Sequence, residues 1–213
     1  LVRILDYALD HKPCLVLTNG TKPLLRRVKQ LDPLLDKPNE LHFRISLDHF
    51  DPVEHDKQRG VGSFELALQG LKELHDMGFH VSIASHTFEG LPDEEVVAAF
   101  AALMRRFDLP EDLTRIAFPE FHTPGASPTV PQVSENCMTT YHTAESRRSF
   151  MCAFSKMVIK TEGRMRVYAC TLVDDDPEYD LGGSLAEALG ERVSMKHHRC
   201  YSCFAYGASC SEM

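Results

Sequence analysis

The sequence predicts an α/β protein with parallel strands, because apolar runs of strand length alternate along its first half with segments of helical periodicity. The joints between these segments are short, and none has the pattern of a β-hairpin. Helices that return along the outside of a parallel sheet or barrel produce this alternation. The expected strands are residues 14–18, 41–47, 79–84 and 114–118, and the expected helices are residues 1–11, 24–31, 63–78 and 93–107.

The first unit begins with an amphipathic helix, since apolar residues recur at helical spacing through residues 1–11. The apolar run 14–18 follows as a strand. A turn at 19–21 then leads into a second helical stripe, which Pro33 interrupts and which closes near Pro38.

The next units repeat this order. Ser63 is the expected N-cap of the helix after strand 41–47, and Gly78 is its expected end. Strand 79–84 is followed by helix 93–107 and then directly by strand 114–118. No G-x-G-x-x-G follows any of these strands and no G-x-x-x-x-G-K-[ST] loop occurs, which disfavours a Rossmann fold and a nucleotide-triphosphate site.

The second expected strand carries four polar residues on one face. Side chains alternate along a strand, so His42, Arg44, Ser46 and Asp48 point away from the apolar residues between them. The third strand repeats this with His80, Ser82 and His86 on one face. A buried parallel strand is normally apolar on both faces. Two interpretations stay open: a wet or ligand-filled interior, or edge strands whose second face meets solvent.

Charge and hydropathy exclude two classes of partner. The formal net charge is −8 and the basic residues are scattered, which argues against a nucleic-acid-binding protein. The longest apolar stretch, residues 96–104, is too short to cross a bilayer, and no signal segment is recognisable. We therefore expect a cytoplasmic protein without nucleic-acid or membrane partners.

The composition changes in the second half. Residues 119–136 are rich in Pro, Ser, Thr and Gly, which is typical of a linker or a long crossing loop. Beyond it, residues 156–161 and 165–170 flank Glu162-Gly163-Arg164 and predict a β-hairpin, and a short helix is expected at 184–189. We expect two domains, residues 1–125 and 126–213.

Five of the seven cysteines lie in the last third of the chain, and four have the spacing of a metal site. Cys152 and Cys170 are followed by the pair Cys200-x-x-Cys203, whose thiolates can bind one ion or one edge of a cluster. Cys210 is a candidate fifth ligand, part of a second site, or a spare thiol. Cys14 is interpreted as a small core residue and Cys137 as a thiol without a partner.

The spacing does not decide which metal binds. Zinc and iron–sulfur clusters both accept four thiolates. The gap of eighteen positions across a hairpin, together with the barrel-like first half, favours a [4Fe–4S] cluster. His197 and His198 are candidate zinc ligands or hydrogen-bond donors to cluster sulfur, with solvated loop residues as the simpler interpretation.

Several segments resemble the radical S-adenosylmethionine (SAM) enzymes that carry a C-terminal SPASM or Twitch extension. Leu15–Thr21, LVLTNGT, resembles the third strand of their partial (β/α)6 barrel, and RISLD at 44–48 with HDKQRGVGSF at 55–64 resembles the fourth strand and the following helix entrance. The sequence MVIKTEGRMRVYACTLVDD resembles the auxiliary-cluster hairpin. The four-cysteine set is similar to the ligand set of Twitch domains.

The resemblance implies a fold and a set of roles. The chain would form the C-terminal part of a partial (β/α)6 TIM-like barrel, strands three to six, followed by a small α+β Cys-rich domain of Twitch/SPASM type. Ser46 would contact SAM, Asn19 and Asp48 would line its pocket, and Arg59 would approach its carboxylate. Glu120, just past the fourth strand, is a candidate acid or base, with the catalytic residues otherwise unassigned.

The implied activity belongs to the complete enzyme. It would cleave SAM to methionine and a 5′-deoxyadenosyl radical, which takes hydrogen from a small-molecule or peptide substrate, with an electron-donor protein as partner. An auxiliary [4Fe–4S] cluster would sit in the C-terminal domain and a second cluster would bind SAM. The C-x-x-x-C-x-x-C motif that holds the second cluster is absent from these 213 residues, so we expect further chain upstream and an inactive fragment. The alternative is a non-catalytic α/β protein with a structural four-cysteine zinc site for folding or partner binding.

Overall fold

The computed structural model describes residues 1–88, 90–118 and 128–206. The chain divides into two compact units, Leu1–Phe118 and Pro119–Met213. The boundary that the composition predicts, between residues 125 and 126, lies outside the described residues.

The first unit is built on a parallel sheet of four strands in the order β1-β2-β3-β4. This confirms the α/β fold class and the parallel pairing. Strands that are neighbours in the sequence are also neighbours in the sheet. The strands are β1 (Cys14–Thr18), β2 (Leu41–Ser46), β3 (His80–His86) and β4 (Arg115–Phe118), and the helices are α1 (Val2–Ala8), α2 (Lys22–Leu25), α3 (Pro52–Arg59), α4 (Ser63–Asp76) and α5 (Asp93–Arg106).

The expected helix over 24–31 is only partly correct. Helix α2 ends at Leu25, and two 3₁₀ turns, Val28–Gln30 and Asp32–Asp36, replace its continuation. Pro33 lies at the start of the second turn, where its missing N–H costs nothing. The apolar side chains of this segment, among them Val28, Leu31 and Leu34, are nevertheless buried in the core.

Helix α3 was not expected from the sequence, where this stretch reads as a loop. Asp51 caps it by accepting hydrogen bonds from the backbone of Val53, at 2.8 Å, and Glu54, at 3.2 Å. The prediction that Ser63 caps α4 is wrong. Ser63 is the first residue of that helix, and Asp56 of α3 accepts hydrogen bonds from the backbone of Gly62 and Phe64 at its start.

The core of this unit lies between the sheet and its helices. On the apolar face of β2, Phe43 and Ile45 are fully buried, as is Leu47 after the strand, and α4 buries its own leucine stripe in the same cluster. The turn after β1 also packs tightly on α4. Gly20 has a φ of +68°, and a Cβ on Gly70 of α4 would lie 2.5 Å from the Gly20 carbonyl oxygen. Only glycine fits this approach at Gly70, which holds the end of β1 in place.

Strands β2 and β3 are internal strands of the sheet. The edge-strand interpretation of their polar faces is therefore wrong. Arg44 is buried on this face, and its Nε donates to the Ser82 hydroxyl at 3.1 Å. At this position the polar side chains of neighbouring strands therefore bind each other.

The second unit contains short helices and one hairpin. The helices are α6 (Glu135–Tyr141), α7 (Ala144–Arg148), α8 (Met151–Phe154), α9 (Leu185–Ala188) and α10 (His198–Tyr206), and the antiparallel hairpin joins β5 (Met157–Thr161) to β6 (Arg164–Tyr168). The predicted hairpin is confirmed. Glu162 and Gly163 both have positive φ at its turn, as a type I′ connection requires. The chain after β6 returns beside it, where Val167 exchanges backbone hydrogen bonds with Leu181 and Gly182.

Within the described ranges 1–88, 90–118 and 128–206, the helices are all too short or too polar to cross a membrane.

Candidate functional site

The four predicted ligand cysteines come from three separate elements of the second unit and line one cavity. Cys152 lies in α8, Cys170 follows β6 by two residues, and Cys200 and Cys203 lie in α10. The last two share one helix. Three residues apart on a helix, they project from the same face about one turn apart.

The cavity is small and mostly apolar. Its volume is about 20 Å³, and Cys170 and Cys203 are only 8% and 9% exposed. Two cations lie near its rim. Arg199 donates to Leu172 O at 2.8 Å and to Asp175 at 3.1 Å, and the Lys156 ammonium donates to the carbonyl oxygen of Cys152 at 2.8 Å. The remaining lining residues are Phe150, Met151, Ala169, Leu172, Val173, Tyr179, Val193 and Met195.

Burial keeps these thiols protonated in the metal-free protein. It raises the pKa of Cys170 to about 12 and that of Cys200 to about 11, and in both cases the negative charge of neighbouring cysteines adds to the effect. The pKa of Cys152 is also raised by burial, against the opposing effect of Lys156. Thiolates are therefore costly here unless a metal supplies positive charge, and metal binding would release protons.

The sulfur atoms are not gathered around a single point. Among the described residues, only Glu40, His42 and His80 form a group of three or more His, Cys, Asp or Glu side chains whose ligand atoms all lie within 4.8 Å of one another. No three of the four cysteine sulfurs in this cavity are that close. A tetrahedral zinc ion with bonds of about 2.3 Å would hold its sulfurs about 3.8 Å apart.

Tyr179 fixes the start of the helix that carries the pair. Its buried hydroxyl accepts hydrogen bonds from the backbone N–H groups of Lys196, at 2.9 Å, and His197, at 2.8 Å, and lies 3.8 Å from the Cys200 sulfur. Burial, with the charge of Cys200, raises the tyrosine pKa, so the hydroxyl stays neutral. The solvated-loop interpretation of His198 is wrong, since this side chain is buried on α10.

A second group of predicted residues meets at the carboxyl end of the sheet in the first unit. Asp48, just after β2, is buried and binds the Arg59 guanidinium through both carboxylate oxygens. The Arg59 Nη1 also donates to Asn19 Oδ1 at 2.7 Å. The structure thus joins Asn19, Asp48 and Arg59, while Ser46 is the half-buried last residue of β2, beside Ala84 of β3. Arg59 is the last residue of α3.

Two histidines surround this ion pair. The Nε2 of His86, at the end of β3, lies 3.8 Å from Asp48 Oδ1. His55 of α3 is fully buried, and its Nδ1 accepts a hydrogen bond from the Asp48 backbone N–H at 3.2 Å. Burial lowers the pKa of His55 and favours the neutral ring. Sequence analysis missed the role of His55, because a lone histidine on a short polar helix gives no signal for it.

Two other predicted positions, Glu120 and Cys210, lie outside the described residues, so their candidate roles stay predictions. Cys14 is partly buried against the apolar core. Cys137 lies in α6, where hydrogen bonds with Ser134 lower its pKa. The positions of Tyr179 and Arg199 beside the cysteines had no sequence signal, because neither residue type belongs to a ligand motif.

No family model, no curated protein and no solved structure matches the chain.

Proposed function

We propose that Cys152, Cys170, Cys200 and Cys203 hold an auxiliary [4Fe–4S] cluster, and that the chain is part of a radical SAM enzyme. The observation that supports this most is the convergence of four cysteines, from three elements and fifty-two residues of sequence, on one apolar cavity. Burial raises the pKa of Cys152, Cys170 and Cys200, so thiolates at these positions would need the positive charge of a metal.

The sulfurs are more widely spaced than the ligands of one zinc ion, which supports a cluster, and the cavity of about 20 Å³ would have to widen to hold a cubane. In a cubane each thiolate binds a different iron, so the four sulfurs lie farther apart than around a single ion. The ammonium of Lys156 near the cavity suits either occupant, because four thiolates give both a zinc ion and a cubane a net negative charge that it would offset. A structural zinc site is the alternative, and it would require the cysteines to close in by an ångström or more.

In the first unit, two features support a ligand site at the carboxyl end of the strands. The strands follow one another in the sheet in the order of the sequence, and the polar residues Asn19, Asp48 and Arg59 meet at that end. Consecutive parallel strands are what a segment of a (β/α)6 barrel would contribute, and such folds bind ligands at that end. Arg59 uses three of its five N–H donors on Asp48 and Asn19. The other two are the donors with which it would bind the SAM carboxylate, and Ser46 is the last residue of β2, two positions before Asp48.

When bound, SAM and its cluster would supply the radical chemistry by which hydrogen is taken from a small-molecule or peptide substrate. The residues of this chain would orient SAM through Asn19, Asp48 and Arg59 and would keep water from the auxiliary cluster. The finer fold assignments, a partial barrel and a Twitch-type domain, belong to this proposal. The proposal also requires a C-x-x-x-C-x-x-C motif elsewhere in the enzyme, with an electron-donor protein to reduce its cluster.

The ligand assignment is tested by reconstituting the protein with iron and sulfide in the absence of oxygen and recording its sulfide-to-iron charge-transfer absorption. We expect Cys→Ala at any of the four positions to abolish the stable absorption. Cys14→Ala, which removes a partly buried thiol far from the cavity in sequence, is the matched control and should retain it. Full absorption in all four variants would overturn the site.

The enzyme assignment is tested separately. The reading frame upstream of Leu1 should encode C-x-x-x-C-x-x-C, and the protein expressed from it should form methionine and 5′-deoxyadenosine from SAM with a chemical reductant. An in-frame start codon directly before Leu1 would refute the enzyme assignment. It would leave the cysteine site in place as a binding or structural module.

A further inference from the structure

A second group of metal-ligand side chains lies at the opposite end of the sheet from Asp48. His42 is the second residue of β2 and pairs in register with His80, the first residue of β3. Their rings stack, with centroids 4.6 Å apart and planes 20° from parallel. Glu40 precedes β2, and its Oε2 lies 3.2 Å from His42 Nε2. One ligand atom from each of the three side chains lies within 4.8 Å of the other two.

We propose that Glu40, His42 and His80 form a binding site for a divalent transition metal such as zinc, cobalt or nickel. Two imidazoles and one carboxylate are the donor set these ions prefer, whereas magnesium and calcium need oxygen ligands. Metal bonds of about 2.0–2.2 Å place neighbouring ligand atoms about 3–3.5 Å apart. Glu40 and His42 are already 3.2 Å apart, and a pair separated by as much as 4.8 Å would close by about 1.3–1.8 Å through rotation about its side-chain bonds.

The backbone already provides most of the order that the site needs. His42 and His80 are held side by side by the β2–β3 ladder, so metal binding would not have to bring distant segments together. Glu40 is next to a strand end and its side chain is 69% exposed, against 28% for His42. The exposed carboxylate is free to move toward the metal. Three protein ligands leave at least one coordination position open to water or another donor.

This site is separate from the two groups described above. Along β2, four residues at about 3.3 Å per residue put roughly 13 Å between His42 and Ser46, which marks the SAM-binding end in our proposal. The four cysteines belong to the other compact unit. A metal bound here would connect the amino ends of β2 and β3 and would stabilise the folded sheet by mass action.

The test uses Co²⁺ added to the full chain after anaerobic reconstitution, with binding followed by calorimetry and by absorption. Thiolate-bound cobalt gives charge-transfer absorption that imidazole and carboxylate ligands do not, so the two kinds of site are distinguishable. We expect one equivalent of cobalt to bind without thiolate charge transfer. His42→Ala, His80→Ala and Glu40→Gln should each weaken this binding by at least about tenfold.

His11→Ala is the matched control, since His11 is exposed and follows α1 in the same unit. It should leave the affinity unchanged. Circular dichroism should show the same secondary structure in every variant, because the three ligands carry exposed or half-exposed side chains. Unchanged cobalt affinity in both histidine variants, equal loss in His11→Ala, or thiolate charge transfer for all bound cobalt would overturn the proposal.

Discussion

Arg59→Ala should destabilise the first unit far more than removal of an arginine from a surface ion pair. The Asp48 side chain is 7% exposed and that of Arg59 is 28% exposed, so the carboxylate depends on this guanidinium for its charge compensation. The substitution would leave a buried carboxylate with two histidines as close ionisable neighbours, His86 at 3.8 Å and the buried His55, whose lowered pKa favours the neutral ring. It would also remove the hydrogen bond to Asn19.

The magnitude follows from these two losses. Removing one partner of a buried ion pair costs about 3–5 kcal/mol, and partial exposure of Arg59 places this pair near the lower limit. The hydrogen bond to Asn19 contributes about 1 kcal/mol of that total. We therefore expect a loss of about 3 kcal/mol in the free energy of unfolding. In an Asp48→Asn background the buried charge is absent, so Arg59→Ala should cost only about 1 kcal/mol there.

Urea unfolding with unchanged m-values measures these differences. The matched control is Arg105→Ala, which breaks the ion pair with Glu111 in the same unit. The Arg105 side chain is 68% exposed, so we expect a much smaller cost than for Arg59→Ala. If Arg59→Ala costs no more than this control, or the same in both backgrounds, the reasoning about the buried pair is refuted.

Three further predictions concern packing, positioning and pH. Gly70→Ala should lower the free energy of unfolding by about 1–3 kcal/mol, because its Cβ would lie 2.5 Å from a backbone oxygen. This cost outweighs the better helix propensity of alanine. In the control Gly190→Ala the nearest backbone oxygen is 3.5 Å away, so the free energy of unfolding should change little. Tyr179→Phe leaves two backbone N–H groups without their acceptor, so it should weaken metal binding about tenfold. Chelator competition measures this affinity, and the control Tyr201→Phe on α10 should leave it unchanged. The metal-free protein should lose stability as the pH rises above about 9, because the thiols ionise there in the unfolded chain but not in the folded protein. Thermal unfolding between pH 8 and about 11 measures this dependence, and Cys200→Ser should make it weaker.

Each of these predictions has a contradicting result. Equal stability of both glycine variants would mean that the turn after β1 moves away from α4 at no cost. Equal metal affinity in the two tyrosine variants would remove the positioning role of the tyrosine hydroxyl. A rise in the stability of the metal-free protein with pH would mean that the thiols ionise more readily when folded, contrary to the effect of burial.

The sequence predicted the sheet well because burial leaves a regular pattern. Strands β1 to β4 were located to within a few residues, since apolar residues recur along each of them, and β1, β2 and β3 contribute side chains to the core. Helix α3 was missed because PVEHDKQR buries only one side chain, His55, and has no apolar stripe. The start of α4 was misassigned because its cap, Asp56, lies seven residues upstream of Ser63 and acts through tertiary structure.

The site was predictable in part for a similar reason. Cysteine spacing is a local signal, and it identified the four residues that the structure brings around one cavity. The contact of Asp48 with Arg59 depends on how α3 returns to the sheet, which spacing alone does not contain. Tyr179 contacts the backbone seventeen and eighteen residues later, and no rule of periodicity predicts that hydrogen bond.

The most direct test of the central claim is the content of iron, acid-labile sulfide and zinc in protein purified and reconstituted without oxygen. We expect about four iron and four sulfide per chain for one cubane, lost together in Cys203→Ala and retained in Cys14→Ala. One zinc per chain without sulfide, also lost in Cys203→Ala, would contradict the iron–sulfur assignment and establish a structural zinc site at the same four cysteines.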